Sequence, residues 1–185
     1  MKEPISLETP LTREDNESLS SGDVVLISGV LFTARDAAHA RMKEVIENDD
    51  ALPFDPEGQI VYFTGPAPAR PGNPLGPAGP TTASRMDPHS PLLIERGLKG
   101  MIGKGVRSGA VRRSMREHGC VYFGAVEGTA ALLADRVKEA EVVAYEDLGS
   151  EAVRRLVVEE FPVVVVNDLR GGDLYREGRE RWRVR

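Results

Sequence analysis

Apolar positions along the chain switch between two periods. Asp23-Val24-Val25-Leu26-Ile27-Ser28 is a β-branched run that ends at Gly29, and Val30-Leu31-Phe32-Thr33 is a second apolar patch just after it. Both read as strands, and their close spacing admits some antiparallel pairing. The pattern then becomes helical. Ala38, Met42, Val45 and Ile46 fall at i, i+4, i+7 and i+8, one helix face, before Asn48-Asp49-Asp50 ends it. Residues 59–64 predict a strand stopped by Gly65-Pro66. Residues 90–96 predict a short helix with Pro91 in its first turn. Strands follow at 98–103, 120–126 and 141–145, and helices at 108–118, 130–137 and 151–160. Residues 162–167 close the series as a valine-rich strand.

Strand and helix thus alternate through most of the chain, which predicts an α/β fold. No internal repeat or domain boundary interrupts residues 1–185, so a single domain is expected. Residues 1–22 are polar apart from Ile5, Leu7 and Leu11 and read as an N-terminal arm or entry strand. Residues 171–185 read as a charged, peripheral tail. The most unusual stretch is 65–80, GPAPARPGNPLGPAGP. Its prolines and glycines prevent continuous sheet pairing or helix formation, which leaves two readings: a linker, or a stiff loop that positions the motif after it.

Composition narrows the chemistry. The chain has 185 residues, is 41% hydrophobic and 29% charged, and carries a net charge of −5. It is long enough to bury a core and is neither disordered nor membrane-like in composition. Its apolar runs are shorter than the roughly 20 residues a membrane span needs. The opening MKEPISLETPL lacks an apolar signal region, so a cytoplasmic location is expected. The acidic balance argues against a nucleic-acid backbone as the main partner. One cysteine, Cys120, excludes an internal disulfide and cannot alone hold an iron–sulfur cluster. With His39, His89 and His118 it has no paired zinc-ligand spacing. No metal site is expected on this chain.

Three polar clusters remain, each where a strand runs into glycine or a helix start. Arg35-Asp36-Ala37-Ala38-His39 sits at a predicted helix N-terminus, where free N–H groups attract anions. Asp36 could equally be a simple cap. Thr81-Thr82-Ala83-Ser84-Arg85-Met86-Asp87 places hydroxyls and a guanidinium after the proline–glycine stretch. Arginine binds a carboxylate bidentately and hydroxyls can add hydrogen bonds, although a hydroxyl-rich turn has the same composition. Gly103-Lys104-Gly105-Val106-Arg107-Ser108 places a lysine between glycines but lacks the earlier glycine and following Ser/Thr of a P-loop. Gly124-Ala125-Val126-Glu127-Gly128 is half of a dinucleotide fingerprint and is discounted for its spacing. Cys120 reads as a packed thiol, and Arg112, Arg113 and Arg116 as a solvated helix face. Three cationic, glycine-bracketed loops suit a small polyanion, such as a dicarboxylate whose two charges need separate clamps.

In order along the chain, GDVVLISGVLFTARDAAH, LPFDPEGQIVYFTGP, GPTTASRMDP, GKGVRS and EFPVVVVND resemble the β subunit of two-subunit class I fumarate hydratases. That subunit is equivalent to the C-terminal domain of the single-chain enzymes, and the L-tartrate dehydratase β subunit shares the plan. The resemblance implies a swivelling β/β/α domain with a mixed sheet and flanking helices. It implies a hydro-lyase of the tricarboxylic acid cycle interconverting fumarate and L-malate. A 4Fe–4S cluster would be held by a partner α subunit and not by this chain, which alone would be inactive. Two α and two β chains would form a heterotetramer. By the same resemblance Arg35, Arg85 and Lys104 match substrate-contact positions, Thr82 beside them is a further expected substrate contact, and Thr81 matches a proposed catalytic base whose anion Arg85 and Lys104 would favour. Asp36 and His39 match positions without a role, and Ser84 stands where several relatives have glycine. The alternatives are an L-tartrate dehydratase β subunit and a non-catalytic dicarboxylate-binding module.

Overall fold

The structure, a computed structural model, describes residues 3–126 and 128–183. Glu127 of the discounted fingerprint, and Val184 and Arg185 of the expected tail, lie outside the described residues. Seven strands and six α-helices are described: β1 (Ile5–Glu8), α1 (Arg13–Ser18), β2 (Val24–Thr33), α2 (Asp36–Glu47), β3 (Ile60–Tyr62), α3 (Ser90–Glu95), β4 (Gly100–Gly103), α4 (Gly109–His118), β5 (Val121–Gly124), α5 (Ala130–Asp135), β6 (Val137–Ala144), β7 (Val153–Asn167) and α6 (Leu174–Trp182). Short 3-10 turns cover Ala83–Met86 and Glu146–Glu151.

Strands β2, β3, β4 and β5 run parallel in that order. β7 pairs antiparallel with both β5 and β2, so the five strands close on themselves. β1 adds in parallel to the start of β2, and β6 antiparallel to β7. The sheet is therefore mixed and the fold α/β, as the alternating pattern predicts.

Period-two alternation divides the core. Ile60, Tyr62, Ile102, Val121 and Phe123 join Val25, Ile27, Leu156, Phe161 and Val163 in one cluster. Their neighbours Val61, Met101 and Tyr122 join Ala38 and Met42 of α2, Leu93 and Ile94 of α3, and Val111 and Met115 of α4. One face of the central strands thus turns toward β7, and the other takes the flanking helices.

Four expectations change. The two early patches are one strand, because Gly29 continues β2 with φ +103° instead of ending it. A Cβ there would lie 2.5 Å from the Thr9 hydroxyl, so only glycine lets the chain after β1 cross this closely. Thr9 uses the space: its hydroxyl donates to Val30 O at 2.9 Å and accepts from Val30 N–H at 2.6 Å. Of the two readings of the N-terminal residues, the arm fails and the entry strand holds over residues 3–22, Met1 and Lys2 lying outside the described residues: β1 is in the sheet, and α1 follows it with Leu11 and Leu19 buried. The predicted helix at 151–160 is instead the first half of β7. Val153, Leu156 and Val157 mimic a helical i, i+3, i+4 spacing, but β2 and β6 hydrogen-bond both edges of the segment. Sheet pairing overrides the periodicity, aided by β-branched side chains. The charged tail contains α6, capped by Asp173 and tied to α4 by the Arg112–Asp173 ion pair at 2.7 Å.

Candidate active site

The parallel strands place the three predicted clusters side by side. Arg35 follows β2, the 65–82 segment follows β3, and Lys104 follows β4, so each lies just past a strand's C-terminal end. In α/β sheets that edge is where ligands gather.

The proline–glycine stretch is a positioned loop, not a linker. Ala67 N–H donates to Pro77 O at 3.0 Å, Thr64 Oγ1 to Gly79 O at 2.8 Å and Tyr62 OH to Ala78 O at 2.5 Å. Thr81 N–H then donates to Phe63 O at 2.6 Å, and Lys104 N–H to Thr81 O at 3.1 Å. Thr82 and Lys104 form a parallel bridge, and Ala83 N–H donates to Lys104 O at 2.8 Å. The loop therefore returns to pair beside β4, bringing Thr81, Thr82 and Lys104 onto adjacent backbone. The glycines around Lys104 have separate reasons. A Cβ on Gly103 would meet Phe63 Cδ2 at 2.9 Å, and Gly105 has φ +82°. Gly105 N–H donates to Tyr175 OH at 3.1 Å, and its carbonyl accepts from Tyr122 OH at 3.0 Å.

Arg35 and Arg85 come together through an acid. Arg85 Nε donates to Asp36 Oδ1 at 2.8 Å, while Arg35 Nη2 lies 3.6 Å from Asp36 Oδ2. Glu151 completes the row: its Oε1 is 3.4 Å from Arg35 Nη2, and its Oε2 accepts from Ala37 N–H at 3.0 Å. Arg35 occupies the N-cap position of α2 without a side-chain cap bond. Glu151 supplies the missing acceptor from a distant part of the chain, and Asp36 serves as an ion-pair partner. Gly65 faces the other side of Arg35: a Cβ there would be 2.9 Å from Arg35 Nη1. Arg35 is held, with a side chain 22% exposed, whereas that of Arg85 is 51% exposed.

The five expected residues do not all line one cavity. Thr82 and Lys104 open onto a cleft of about 520 Å³ whose other walls include Gly105, Ala125, Val126, Val164, Val166 and Leu174. Arg35, Thr81 and Arg85 are not part of that lining. Thr81 and Arg85 flank Thr82 in the chain, Arg85 N–H donating to Thr82 O at 3.4 Å, and Arg85 reaches Arg35 through Asp36.

Beneath these loops lies a pair the residue pattern did not single out. Arg107 has a fully buried side chain, with Nε 2.8 Å from Asp87 Oδ1. Its Nη2 donates to Ser90 Oγ at 2.6 Å, and its guanidinium packs over Phe63 and Tyr122 at 5.2 and 5.3 Å. Ser108 N–H donates to Asp87 Oδ2 at 2.7 Å. The pair therefore joins the loop carrying Arg85 to the loop carrying Lys104. Glu151, Asp87 and Arg107 were missed as site residues because long-range packing creates their roles. The one local cue was that Asp87 and Arg107 each belong to a polar cluster.

His39 is buried, and burial pushes its pKa down to about 4. Its Nδ1 is 2.9 Å from Arg35 O, an arrangement in which the neutral ring donates to that carbonyl. It is thus a neutral support under Arg35, not a cationic clamp. Burial also lowers the pKa of His89. Burial pushes the Cys120 thiol up to about 12, which makes it a poor nucleophile. Among the described residues, no group of three or more His, Cys, Asp or Glu side chains is arranged to hold a metal ion. Among the same residues, no helix is long and apolar enough to cross a membrane.

Known proteins are similar to this chain over most of its length. The family model described as the fumarase C-terminus matches residues 1–178. The chain is 37% identical over 175 residues to fumarate hydratase 2 of Leishmania major, covering 92% of this chain and 31% of that protein. It is 39% identical over 153 residues to the anaerobic class I fumarate hydratase of Escherichia coli K12, covering 82% and 28%. A putative L(+)-tartrate dehydratase subunit beta of Methanocaldococcus jannaschii is 35% identical over 173 residues, with 90% of this chain and 89% of that subunit covered. The chain thus spans about a third of the length of the fumarate hydratases it matches, but nearly all of the tartrate dehydratase subunit.

Proposed function

The chain belongs to the fumarase C-terminus family, and from that premise we propose that it is the β subunit of a two-subunit class I fumarate hydratase. In this reading residues 1–185 form one swivelling β/β/α domain. It acts in the cytoplasm with an α subunit, as a heterotetramer of two chains of each kind, on fumarate and L-malate. The observation that carries the reading is that the loops bearing Arg35, Thr81, Thr82, Arg85 and Lys104 follow the C-terminal ends of the neighbouring strands β2, β3 and β4.

The chemistry divides among these residues. A dicarboxylate needs two cationic contacts, and Arg35 and Arg85 offer planar forks for its two ends. Dehydration of malate removes a proton from C3 and the hydroxyl from C2, which leaves as hydroxide, a departure that a Lewis acid on the α subunit would assist. Thr81 takes the C3 proton. Its alkoxide is costly in water, and the charges of Arg85 and Lys104 lower that cost by favouring the anion. Lys104 also faces the negative charge that develops on the substrate as the proton leaves. Thr82 donates to the substrate at the mouth of the cleft. The family resemblance also implies a 4Fe–4S cluster. The sole thiol here, Cys120, is buried with its pKa pushed up to about 12, so these residues do not fit one. In this reading the cluster belongs to the α subunit.

Anaerobic co-expression with a candidate α subunit, followed by assays on fumarate, L-malate and tartrate, tests the proposal. Hydratase activity with Thr81→Ala reducing kcat by about 100-fold or more is expected, the lower range for a positioned acid or base. Arg85→Ala is expected to raise KM. Full activity of Thr81→Ala overturns the base role. A preference for tartrate moves the assignment to L-tartrate dehydratase, which the near-complete coverage of the Methanocaldococcus subunit specifically favours as the second reading. Dicarboxylate binding without turnover by any assembled complex leaves a non-catalytic module.

A further inference from the structure

The cleft beside Lys104 continues into a second, of about 240 Å³, lined by Val24, Thr129, Leu132, Leu133, Pro162 and Val163 among others. The two share Gly124, Val126 and Val164, so they form one trough. Its walls are almost wholly apolar, yet Val126 is 61% exposed and Leu132 64% exposed. The six-residue α5 turns Leu133 into the core and leaves Leu132 outside. Exposed apolar side chains are ordinary when scattered, but here they line one depression that begins at Thr82 and Lys104.

A dicarboxylate does not suit the far part of this trough. Valine, leucine and proline walls would strip water from a carboxylate without supplying a partner. An apolar protein segment does suit it. The chain's relatives indicate which body it would come from. In the Leishmania and Escherichia enzymes this region is 31% and 28% of a longer polypeptide, so most of each enzyme lies outside it. In the Methanocaldococcus relative nearly the same length is a complete subunit named beta. In the two-subunit reading, the part those enzymes carry on the same polypeptide is supplied by the α subunit.

We propose that the trough from Lys104 to Leu132 is the docking groove for the α subunit, which inserts apolar side chains over Val126, Leu132 and Val164. The inference rests on the two-subunit reading above and adds the surface through which it is realised. Docking there would seat the partner at the mouth that Thr82 and Lys104 line, closing the site from the side this chain leaves open.

The test uses the assembled α–β complex, with the dissociation constant measured by sedimentation or calorimetry. Leu132→Asp and Val126→Asp put a charge where the partner's apolar groups would sit. Each is expected to weaken association about 100-fold, the loss typical of a central interface residue. Val143→Asp, on exposed β6 outside the trough, is the control and should leave affinity unchanged. Urea unfolding of each isolated variant should match wild type, since both side chains are exposed. At saturating α subunit, kcat of Leu132→Asp, which lies outside the cleft that Thr82 and Lys104 line, should return. Wild-type affinity in both trough variants overturns the inference while leaving the two-subunit reading intact. Loss of a self-associated dimer of this chain, with α affinity unchanged, also overturns it and assigns the trough to a second copy. A wild-type chain that binds no α subunit and yields no hydratase activity overturns both.

Discussion

Replacing either member of the Asp87–Arg107 pair should unfold the domain more readily than any other single charge deletion described here. Arg107 is wholly buried, its Nε 2.8 Å from Asp87 Oδ1, between the rings of Phe63 and Tyr122. Burial lowers its pKa, and the Asp87 carboxylate is the main influence opposing that fall. Asp87→Asn leaves a charged guanidinium in this apolar setting with a neutral partner. Removing one member of a buried pair costs about 3–5 kcal/mol. With a urea dependence of about 2 kcal/mol per molar, the unfolding midpoint should fall by about 2 M. Arg107→Met strands the carboxylate instead, at 13% exposure, and should cost somewhat less. The double variant removes both charges, so its loss should be well below the sum of the singles, with a coupling of about 2 kcal/mol or more. Urea titrations of the four proteins followed by circular dichroism measure this cycle. Single variants that lose less than about 1 kcal/mol, or losses that simply add, would refute the reasoning.

Three further outcomes are expected. The His39 pKa falls from 6.5 in the unfolded chain to about 4 in the fold, so the unfolded state takes up a proton first as pH drops. The contribution of His39 is complete above pH 6.5 and is lost as pH falls toward about 4, with about 2 kcal/mol gone between pH 7 and pH 5. His39→Leu should reduce the pH dependence of the urea midpoint by that amount, and an unchanged slope would count against a buried neutral ring. Glu151→Ala removes the acceptor for Ala37 N–H and should cost about 1 kcal/mol, as lost helix caps do. Glu151→Gln keeps an acceptor oxygen and should recover most of it in thermal melts; equal losses would mean the charge, not the cap, matters. Gly29→Ala combines φ +103° with a Cβ 2.5 Å from Thr9 Oγ1 and should cost about 3 kcal/mol by urea titration. A loss below about 1 kcal/mol would show that β1 can give way at Thr9.

What the residue pattern conveys depends on the range of the interaction behind it. β3, β4, β5, α2 and α4 were legible because a single face, period and terminator lie within each segment. α4, for example, has Ser108 as a cap and Gly119 at φ +74°. The short polar α1 was overlooked, although Thr12 and Asp15 form a reciprocal capping box that was available as a local signal. β7 was half misread because its burial departs from strict alternation. It carries Glu160 at φ +48°, and its register shifts against β2 and β6. The candidate site followed the same rule. Arg35, Thr81, Thr82, Arg85 and Lys104 stood out as polar groups after strands. Glu151 reaches Arg35 across 116 positions of sequence, and no local pattern announces it.

The network also changes the meaning of a cationic site in a chain of net charge −5. Glu151, Arg35, Asp36 and Arg85 alternate in sign, so the two guanidiniums are not an unscreened pair of positive charges. Placed near one another without Asp36 they would repel; with it, each gains a partner, and their spacing is set by a shared carboxylate. The two ends differ in burial. Arg35 is hemmed in by Gly65, Glu151 and Asp36, and neither of its ion pairs is closer than 3.4 Å. Arg85 is half exposed and makes the shorter, 2.8 Å bond. A carboxylate arriving at Arg35 therefore finds a fixed fork with donors not tightly engaged. One arriving at Arg85 has to replace or share Asp36, exchanging one carboxylate for another at little change in net charge. Under the proposed function, selectivity for a two-headed ligand would follow: a monocarboxylate would use the fixed end alone, whereas only a dicarboxylate of matching span would gain enough at Arg35 to carry the exchange at Arg85.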